Sequence, residues 1–92
     1  MKYIKELAEI LVKIEEPKLM EDFLGNLLTP SELSEVSKRF QIFKLLKNGV
    51  PQRKIAEDLG VGIATITRGS RELQYGGKAV SKILAWWQGG TH

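Results

Sequence analysis

Apolar residues recur at three- and four-residue intervals along the whole chain, which is the spacing that places them on one face of an α-helix. The first stripe of this kind is Ile4, Leu7, Leu11 and Ile14. No segment gives a convincing β-strand. The pattern therefore predicts an all-α fold, and its interruptions divide the chain into six helices.

Proline and glycine mark where these helices begin and end. Pro17 is expected at the first position of the second helix, and the sequence Thr-Pro-Ser-Glu at 29–32 is a capping box that opens the third. Gly49 and Gly60 are expected to end the third and fourth helices in the left-handed conformation. The fourth helix is predicted to start at Pro51. The other expected features are a fifth helix over 62–74, a break at Gly76-Gly77, and a last stripe of Val80, Ile83, Leu84 and Trp87.

The third helix is predicted to carry one apolar face, formed by Leu33, Val36, Phe40, Phe43 and Leu46. Together with the stripes of the first two helices, this is more apolar surface than a 92-residue monomer easily covers. The chain has no cysteine, and its one histidine is His92, so disulfides and most zinc or histidine chemistry are excluded. A second subunit is therefore the expected source of additional core.

The length predicts one domain over 1–92, with dimerisation helices over 1–49, a helix-turn-helix over 51–74 and a C-terminal helix over 78–88. Charge is divided unequally: residues 1–46 hold seven basic and eight acidic side chains, whereas residues 47–92 hold seven basic and three acidic ones. The second half thus favours a polyanionic partner. The sequence has neither the apolar run of a membrane span nor a signal peptide, which predicts a soluble cytoplasmic protein.

Residues 52–71 have the spacing of a helix-turn-helix. Ala56 is small where two helices would cross closely, and Gly60 follows where the tight turn needs a positive φ. Four apolar residues would form the core between the two helices: Ile55, Leu59, Val61 and Ile66. This arrangement predicts a DNA-binding unit.

The exposed residues of the second helix suit the floor of a major groove. Ile63, Ala64 and Thr65 offer methyl groups and a hydroxyl to thymine methyls and base edges. Arg53 and Lys54 precede them, where they can meet phosphates or a guanine edge. The sequence thus predicts double-stranded DNA as a partner.

Four pieces of the sequence also resemble the tryptophan (Trp) operon repressor family of bacteria: residues 28–32, Arg39, Gln52-Arg53, and the specific run from Gly62 to Ser70. The resemblance implies an intertwined homodimer of six-helix subunits. It also implies a palindromic operator as the DNA partner and L-tryptophan as a small amino-acid corepressor. No catalytic cofactor is implied.

The resemblance carries the family's ligand site onto seven positions. Arg39 and Arg68 match the two arginines that sandwich the indole, and guanidinium planes can both stack on such a ring and pair with a carboxylate. Glu72 stands where the best-known member has a serine near the ligand's ammonium, and it either serves that ammonium or changes the pocket. The remaining positions are Leu27, Leu28, Thr29 and Gly69. The DNA contacts carried over are Gln52, Arg53, Gly62, Ile63, Ala64, Thr65 and Thr67.

Other functions stay open on the residues alone. One is a ligand-independent helix-turn-helix module of the transposase or replication-initiator type, and another is a purely structural dimerisation protein. An enzyme is the least expected function because the chain has no cysteine, no internal histidine and no glycine-rich phosphate loop. We therefore predict no catalytic residue and no metal site.

Overall fold

A computed structural model describes the backbone of residues 2–89 and the side chains of residues 2–86. Within this range the chain forms six α-helices and no strand, which confirms the predicted all-α fold. The helices are α1 (Lys2–Leu11), α2 (Pro17–Leu27), α3 (Pro30–Lys47), α4 (Gln52–Leu59), α5 (Ile63–Tyr75) and α6 (Ala79–Gly89). None of these helices is both long enough and apolar enough to cross a membrane.

The capping box at the start of α3 is confirmed. The backbone N–H of Glu32 donates to Thr29 Oγ1 at 3.1 Å, and the backbone N–H of Thr29 donates to Glu32 Oε1 at 2.9 Å. These reciprocal bonds satisfy two N–H groups that the first turn would otherwise leave without a partner. They fix the start of α3 at Pro30.

Both predicted left-handed glycines are also confirmed. Gly49 has φ +82° after α3, and Gly60 has φ +67° after α4. Two helix starts fall one residue later than predicted. Pro51 and Gly62 precede α4 and α5 as extended N-caps, because their ψ angles of 143° and 153° lie outside the helical region.

The chain divides into two units, residues 1–35 and residues 36–92. In the second unit, Ile42 of α3, Ile55 of α4 and Ile66 of α5 form a buried cluster. The partly buried apolar residues around the cluster are Leu45, Leu46, Val50, Ala56, Leu59 and Val61. The cluster and its surroundings include all four residues predicted as the helix-turn-helix core.

Ile42 is the residue that the predicted α3 stripe lacks. Its side chain is only 2% exposed, whereas Val36, which belongs to the predicted stripe, is 47% exposed. The helix has apolar residues on two faces. The face that carries most of the predicted stripe is less buried than the face that carries Ile42. On α6, Leu84 is buried as predicted, Ile83 is 43% exposed, and the side chain of Trp87 lies outside the described residues.

The first unit differs from the second in burial, because neither α1 nor α2 contains a buried residue. Several large apolar side chains of this unit are exposed: Tyr3, Ile4, Ile10, Val12, Leu19 and Leu27. The division between the units falls inside α3, and the functional division at residues 49–51 stays a prediction.

Candidate functional site

The helices α4 and α5 pack against each other as a helix-turn-helix. Ile55 and Ile66 are fully buried between them. The turn is closed by two backbone hydrogen bonds, from the N–H of Gly60 to the carbonyl of Glu57 at 3.3 Å and from the N–H of Val61 to the carbonyl of Ala56 at 3.1 Å. The left-handed glycine therefore permits the tight reversal that aims the start of α5 outward.

The predicted DNA-reading residues at the start of α5 are all exposed: Gly62, Ile63, Ala64, Thr65 and Thr67. Ile63 is notable because 52% of this large apolar residue is in solvent one residue after the N-cap. Small and methyl-bearing side chains around it allow the helix backbone to approach another surface closely. The arrangement suits contact with base edges.

A side-chain hydrogen bond ties the two helices together at the same end. The hydroxyl of Thr67 donates to Gln52 Oε1 at 3.3 Å, and it also lies 3.1 Å from the carbonyl oxygen of Ile63. Gln52 is the first residue of α4, so this bond joins two of the predicted DNA contacts across the motif. It links the first turn of α4 to the N-terminal half of α5.

The two basic residues predicted to meet phosphates lie on α4 and are exposed. Lys54 Nζ is 3.3 Å from Asp58 Oδ2, with 64% and 51% of the two side chains in solvent. Such exposed pairs contribute about 0–1 kcal/mol, so Lys54 can exchange Asp58 for a stronger anion. Arg53 makes no ion pair with another residue in the part of the chain that the structure describes.

A pocket of about 430 Å³ lies between α3 and α5, within the second unit, and we call it the α3–α5 pocket. It contains four of the seven predicted ligand residues: Arg39, Arg68, Gly69 and Glu72. The other lining residues are Ile42, Phe43, Thr65 and Val80. Two arginines and one glutamate thus line one cavity together with apolar residues.

Gly69 allows α5 to lie close against α3 beside this pocket. A Cβ atom at position 69 would be 2.9 Å from Cγ2 of Ile42, which is closer than carbon atoms normally approach. Gly76 is constrained by its own helix rather than by α3. A Cβ there would collide with the carboxylate of Glu72, which lies back against the end of its own helix.

Sequence reasoning missed the apolar part of the α3–α5 pocket. The sequence pattern assigns Phe43 and Val80 to packing stripes and gives no role to Ile42. One signal is present, because Arg39 and Phe43 are four residues apart on α3 and so share a face. Nothing in the spacing of the sequence indicates that Val80 of α6 lies close to Arg39 and Phe43.

Leu27, Leu28 and Thr29 belong to the first unit, whereas every residue of the α3–α5 pocket belongs to the second. Leu28 caps α2 through a 2.9 Å bond from its N–H to the carbonyl of Leu24, and Thr29 caps α3. Their assignment to a ligand site stays a prediction.

A second, apolar depression of about 270 Å³ lies between α3 and α6, and we call it the α3–α6 groove. Its lining residues are Val36, Arg39, Phe40, Phe43, Ala79, Val80 and Ile83. Three residues of the predicted α3 stripe, Val36, Phe40 and Phe43, thus line this groove, whereas Leu46 packs against the buried cluster. Arg39, Phe43 and Val80 line both this groove and the α3–α5 pocket.

A helix-turn-helix with an exposed, methyl-rich second helix is typical of DNA-binding proteins. Comparison with known proteins gives the family. The family model described as "Trp repressor protein" matches residues 2–87. The chain belongs to the Trp repressor family, whose members are transcriptional repressors.

Three relatives show how far the similarity extends, and each is named a Trp operon repressor homolog. The protein of Vibrio parahaemolyticus is 41% identical over 71 residues, which cover 76% of this chain and 69% of the relative. The protein of Vibrio atlanticus is 34% identical over 82 residues, or 88% and 84% of the two chains. The protein of Photobacterium profundum is 50% identical over 60 residues, or 64% and 58%. No solved structure matches this chain significantly.

Proposed function

We propose that this chain is a homodimeric repressor that binds a near-palindromic operator, and that L-tryptophan or a related amino acid raises its affinity for that operator. One observation carries the proposal. Arg39, Arg68 and Glu72 line a single pocket against α5, the same helix whose first turn exposes Ile63 and Thr65. A ligand in that pocket would act directly on the DNA-reading helix. Operator binding would place the protein in the cytoplasm.

The chemistry of the α3–α5 pocket favours a zwitterion with an aromatic or large apolar side chain. A guanidinium pairs well with the ligand's carboxylate, and the second can stack on a ring. The carboxylate of Glu72 can accept from an ammonium group, and Ile42, Phe43 and Val80 supply apolar walls. The volume of about 430 Å³ lies within the range of small-molecule sites, about 300–1,000 Å³.

The position of the pocket supports coupling between ligand and DNA. Apart from Val80 of α6, its residues come from α3 and α5, so an occupant that contacts these two helices favours one spacing and angle between them. A ligand shifts DNA affinity only by its own preference for the arrangement that fits DNA, and typical couplings are about 5- to 150-fold. Reciprocity then requires the operator to tighten ligand binding by the same factor.

Residues of α4 and α5 would have different roles in DNA recognition. Ile63 and Thr65 are exposed at the start of α5, where they would contact base edges, and Arg53 on α4 would meet a phosphate or a guanine. Substitution of Ile63 or Thr65 should change sequence preference by about 1–3 kcal/mol for each base edge that the variant no longer reads. Two such units in a dimer would reach grooves about 34 Å apart.

Homodimerisation is supported by the apolar surface that the single chain leaves exposed. The helices α1 and α2 bury no residue, and the α3–α6 groove is lined almost wholly by apolar side chains. A second copy of the chain is the partner that the family implies. How Leu27, Leu28 and Thr29 contribute to ligand binding is part of the same proposal.

The test is the affinity for a selected operator duplex, measured by fluorescence anisotropy with and without saturating L-tryptophan. We expect tighter binding with the amino acid, and we expect Arg39→Ala and Arg68→Ala to abolish that response. Lys38→Ala is the matched control, because Lys38 is a neighbouring positive charge on α3 that does not line the pocket. Equal affinities with and without L-tryptophan would reject the switch and favour the ligand-independent module.

A further inference from the structure

The exposed face of α5 continues toward the C-terminal end of the helix, beyond the last predicted DNA contact, Thr67. A shallow depression of about 530 Å³ runs along it and includes Arg71 and Tyr75. The other residues that line it are Ala64, Thr67, Arg68, Glu72 and Gly76. We call this the outer α5 surface.

The helical repeat places this surface in line with the DNA-reading residues. Arg71 follows Ala64 by seven residues and Thr67 by four, and Tyr75 follows Arg71 by four, so all four lie on one face. Arg71 is eight residues beyond Ile63, or about 12 Å along the helix axis. The N-terminal residues of such a helix contact base edges, and the major groove is about 8.5 Å deep, so a residue about 12 Å further along the axis would lie near the level of the phosphates.

The charges of the outer α5 surface favour an anion. Two basic residues, Arg68 and Arg71, line it. The one acidic member, Glu72, has its carboxylate against Gly76, which also lines this surface, so Arg68, Arg71 and Glu72 together carry one net positive charge. Tyr75 is 81% exposed, and within residues 2–86 neither Tyr75 nor Arg71 makes a side-chain hydrogen bond or ion pair. Both groups are thus available to an external partner.

We propose that Arg71 and Tyr75 bind backbone phosphates of the operator, and that they thereby hold α5 in the groove that its first turn reads. The inference rests on the proposed DNA binding and adds two positioning residues to it. Arg71 would pair its positive charge with a phosphate, whereas the uncharged hydroxyl of Tyr75 would donate a hydrogen bond to a neighbouring phosphate without neutralising its charge. Neither contact carries sequence information.

The salt dependence of DNA affinity distinguishes the contact of the charged Arg71 from that of the uncharged Tyr75. The experiment titrates wild type, Arg71→Ala, Arg71→Lys and Tyr75→Phe, from low to moderate salt, against the selected operator and an unrelated duplex of equal length. For Arg71→Ala we expect about tenfold weaker binding to both duplexes. We also expect the slope of log K against log salt to become shallower by about 0.9 for each phosphate that is no longer neutralised. Arg71→Lys should keep the slope, and Tyr75→Phe should weaken binding by about fivefold without changing it.

Lys18→Ala is the control for removal of a positive charge, since Lys18 lies on α2 and is paired with Asp22 at 3.0 Å. If wild type binds and Arg71→Ala binds with the same affinity and slope, the inference is wrong and the proposed function stands. If Arg71→Ala alters preference at one base pair only, Arg71 reads a base and the phosphate assignment is wrong. If wild type binds neither duplex, the proposed function and this inference fail together.

Discussion

The two units of this chain are equally helical but differ in what they bury. Residues 36–86 enclose Ile42, Ile55 and Ile66, each 2% exposed or less. The helices α1 and α2 bury no side chain, and Tyr3 and Val12 are 75% and 80% exposed. The same helical periodicity therefore leads to a buried cluster in one unit and to an uncovered surface in the other.

The difference shows what an amphipathic pattern does and does not specify. A stripe predicts that a helix face will be covered, but not by which surface. In the second unit, the turns at Gly49 and Gly60 return α4 and α5 to α3, so the chain covers its own stripes. In the first unit, helices of 10 and 11 residues are too short to be stable alone in water. A second copy of the chain is the cover that we propose.

The largest effect on folding is expected at the buried cluster. Ile66→Ala should lower the free energy of unfolding by about 2–5 kcal/mol, because the side chain is fully buried and its removal leaves a cavity. Urea denaturation followed by circular dichroism measures this change. Ile63→Ala is the matched control on the same helix, and since Ile63 is 52% exposed it should cost less than about 0.5 kcal/mol. Similar costs at both positions would contradict the assigned core.

The next largest effect tests the uncovered surface. Ile4→Glu should raise the dimer dissociation constant, by about 2–4 kcal/mol in free energy, because it places a charge on a face that a second copy would cover. Ile4 is 58% exposed in the single chain. Sedimentation equilibrium at micromolar concentration measures the association.

The control for Ile4→Glu is Lys2→Gln, which changes the charge by the same amount on the opposite face of α1. A wild-type chain that sediments as a stable folded monomer would reject the proposed dimer. A dimer that is unchanged by Ile4→Glu would exclude this face of α1 from the interface.

A pair of glycine substitutions compares the packing of the two units directly. Gly69→Ala should destabilise the chain by about 1–3 kcal/mol, because the new Cβ would lie 2.9 Å from Cγ2 of Ile42. Gly25→Ala should stabilise it by about 0.5–1 kcal/mol, because Gly25 lies within α2 and nothing lies within 4 Å of a Cβ there. Thermal unfolding of both variants is the measurement. A decrease in stability in Gly25→Ala would mean that another chain approaches α2 closely at this position.

Features that depend on local sequence are the most predictable. The capping box at 29–32 and the glycines at 49 and 60 are confirmed because neighbouring residues alone determine their geometry. The helix-turn-helix core is predictable for the same reason, since Ile55 and Ile66 are separated by one short turn. Ile42 escapes prediction because α3 is apolar on two faces, and the spacing of residues cannot rank them.

The candidate site is less predictable from the residues alone. No spacing rule brings Arg39 and Arg68 together, and only the family resemblance suggests that they share a pocket. Their presence in the α3–α5 pocket depends on the close approach of α5 to α3 at Gly69. The sequence predicts Gly76 only as a break, and its φ of −78° is one that any residue adopts. The close approach of the Glu72 carboxylate to Gly76 is therefore known only from the structure.

The smallest expected effects come from two equivalent ion pairs, one in each unit. Lys18 and Asp22 on α2 are 3.0 Å apart, and Lys54 and Asp58 on α4 are 3.3 Å apart. Both pairs are exposed, and both have the lysine before the acid at i and i+4, which is the less stabilising order. Lys18→Ala and Lys54→Ala should therefore each change the free energy of unfolding by less than about 0.5 kcal/mol.

The same two substitutions should differ in DNA binding. Lys54→Ala should weaken operator binding and make its salt dependence shallower by about 0.9 for each phosphate that Lys54 neutralises, whereas Lys18→Ala should change neither quantity. Asp58→Ala should strengthen binding slightly, because it removes a negative charge and frees Lys54 for a phosphate, and Asp22→Ala should have no effect. Anisotropy titrations at several salt concentrations measure all four variants. If Lys18→Ala weakened binding as much as Lys54→Ala, the first unit would also contact DNA, and the assignment of DNA recognition to the second unit alone would be wrong.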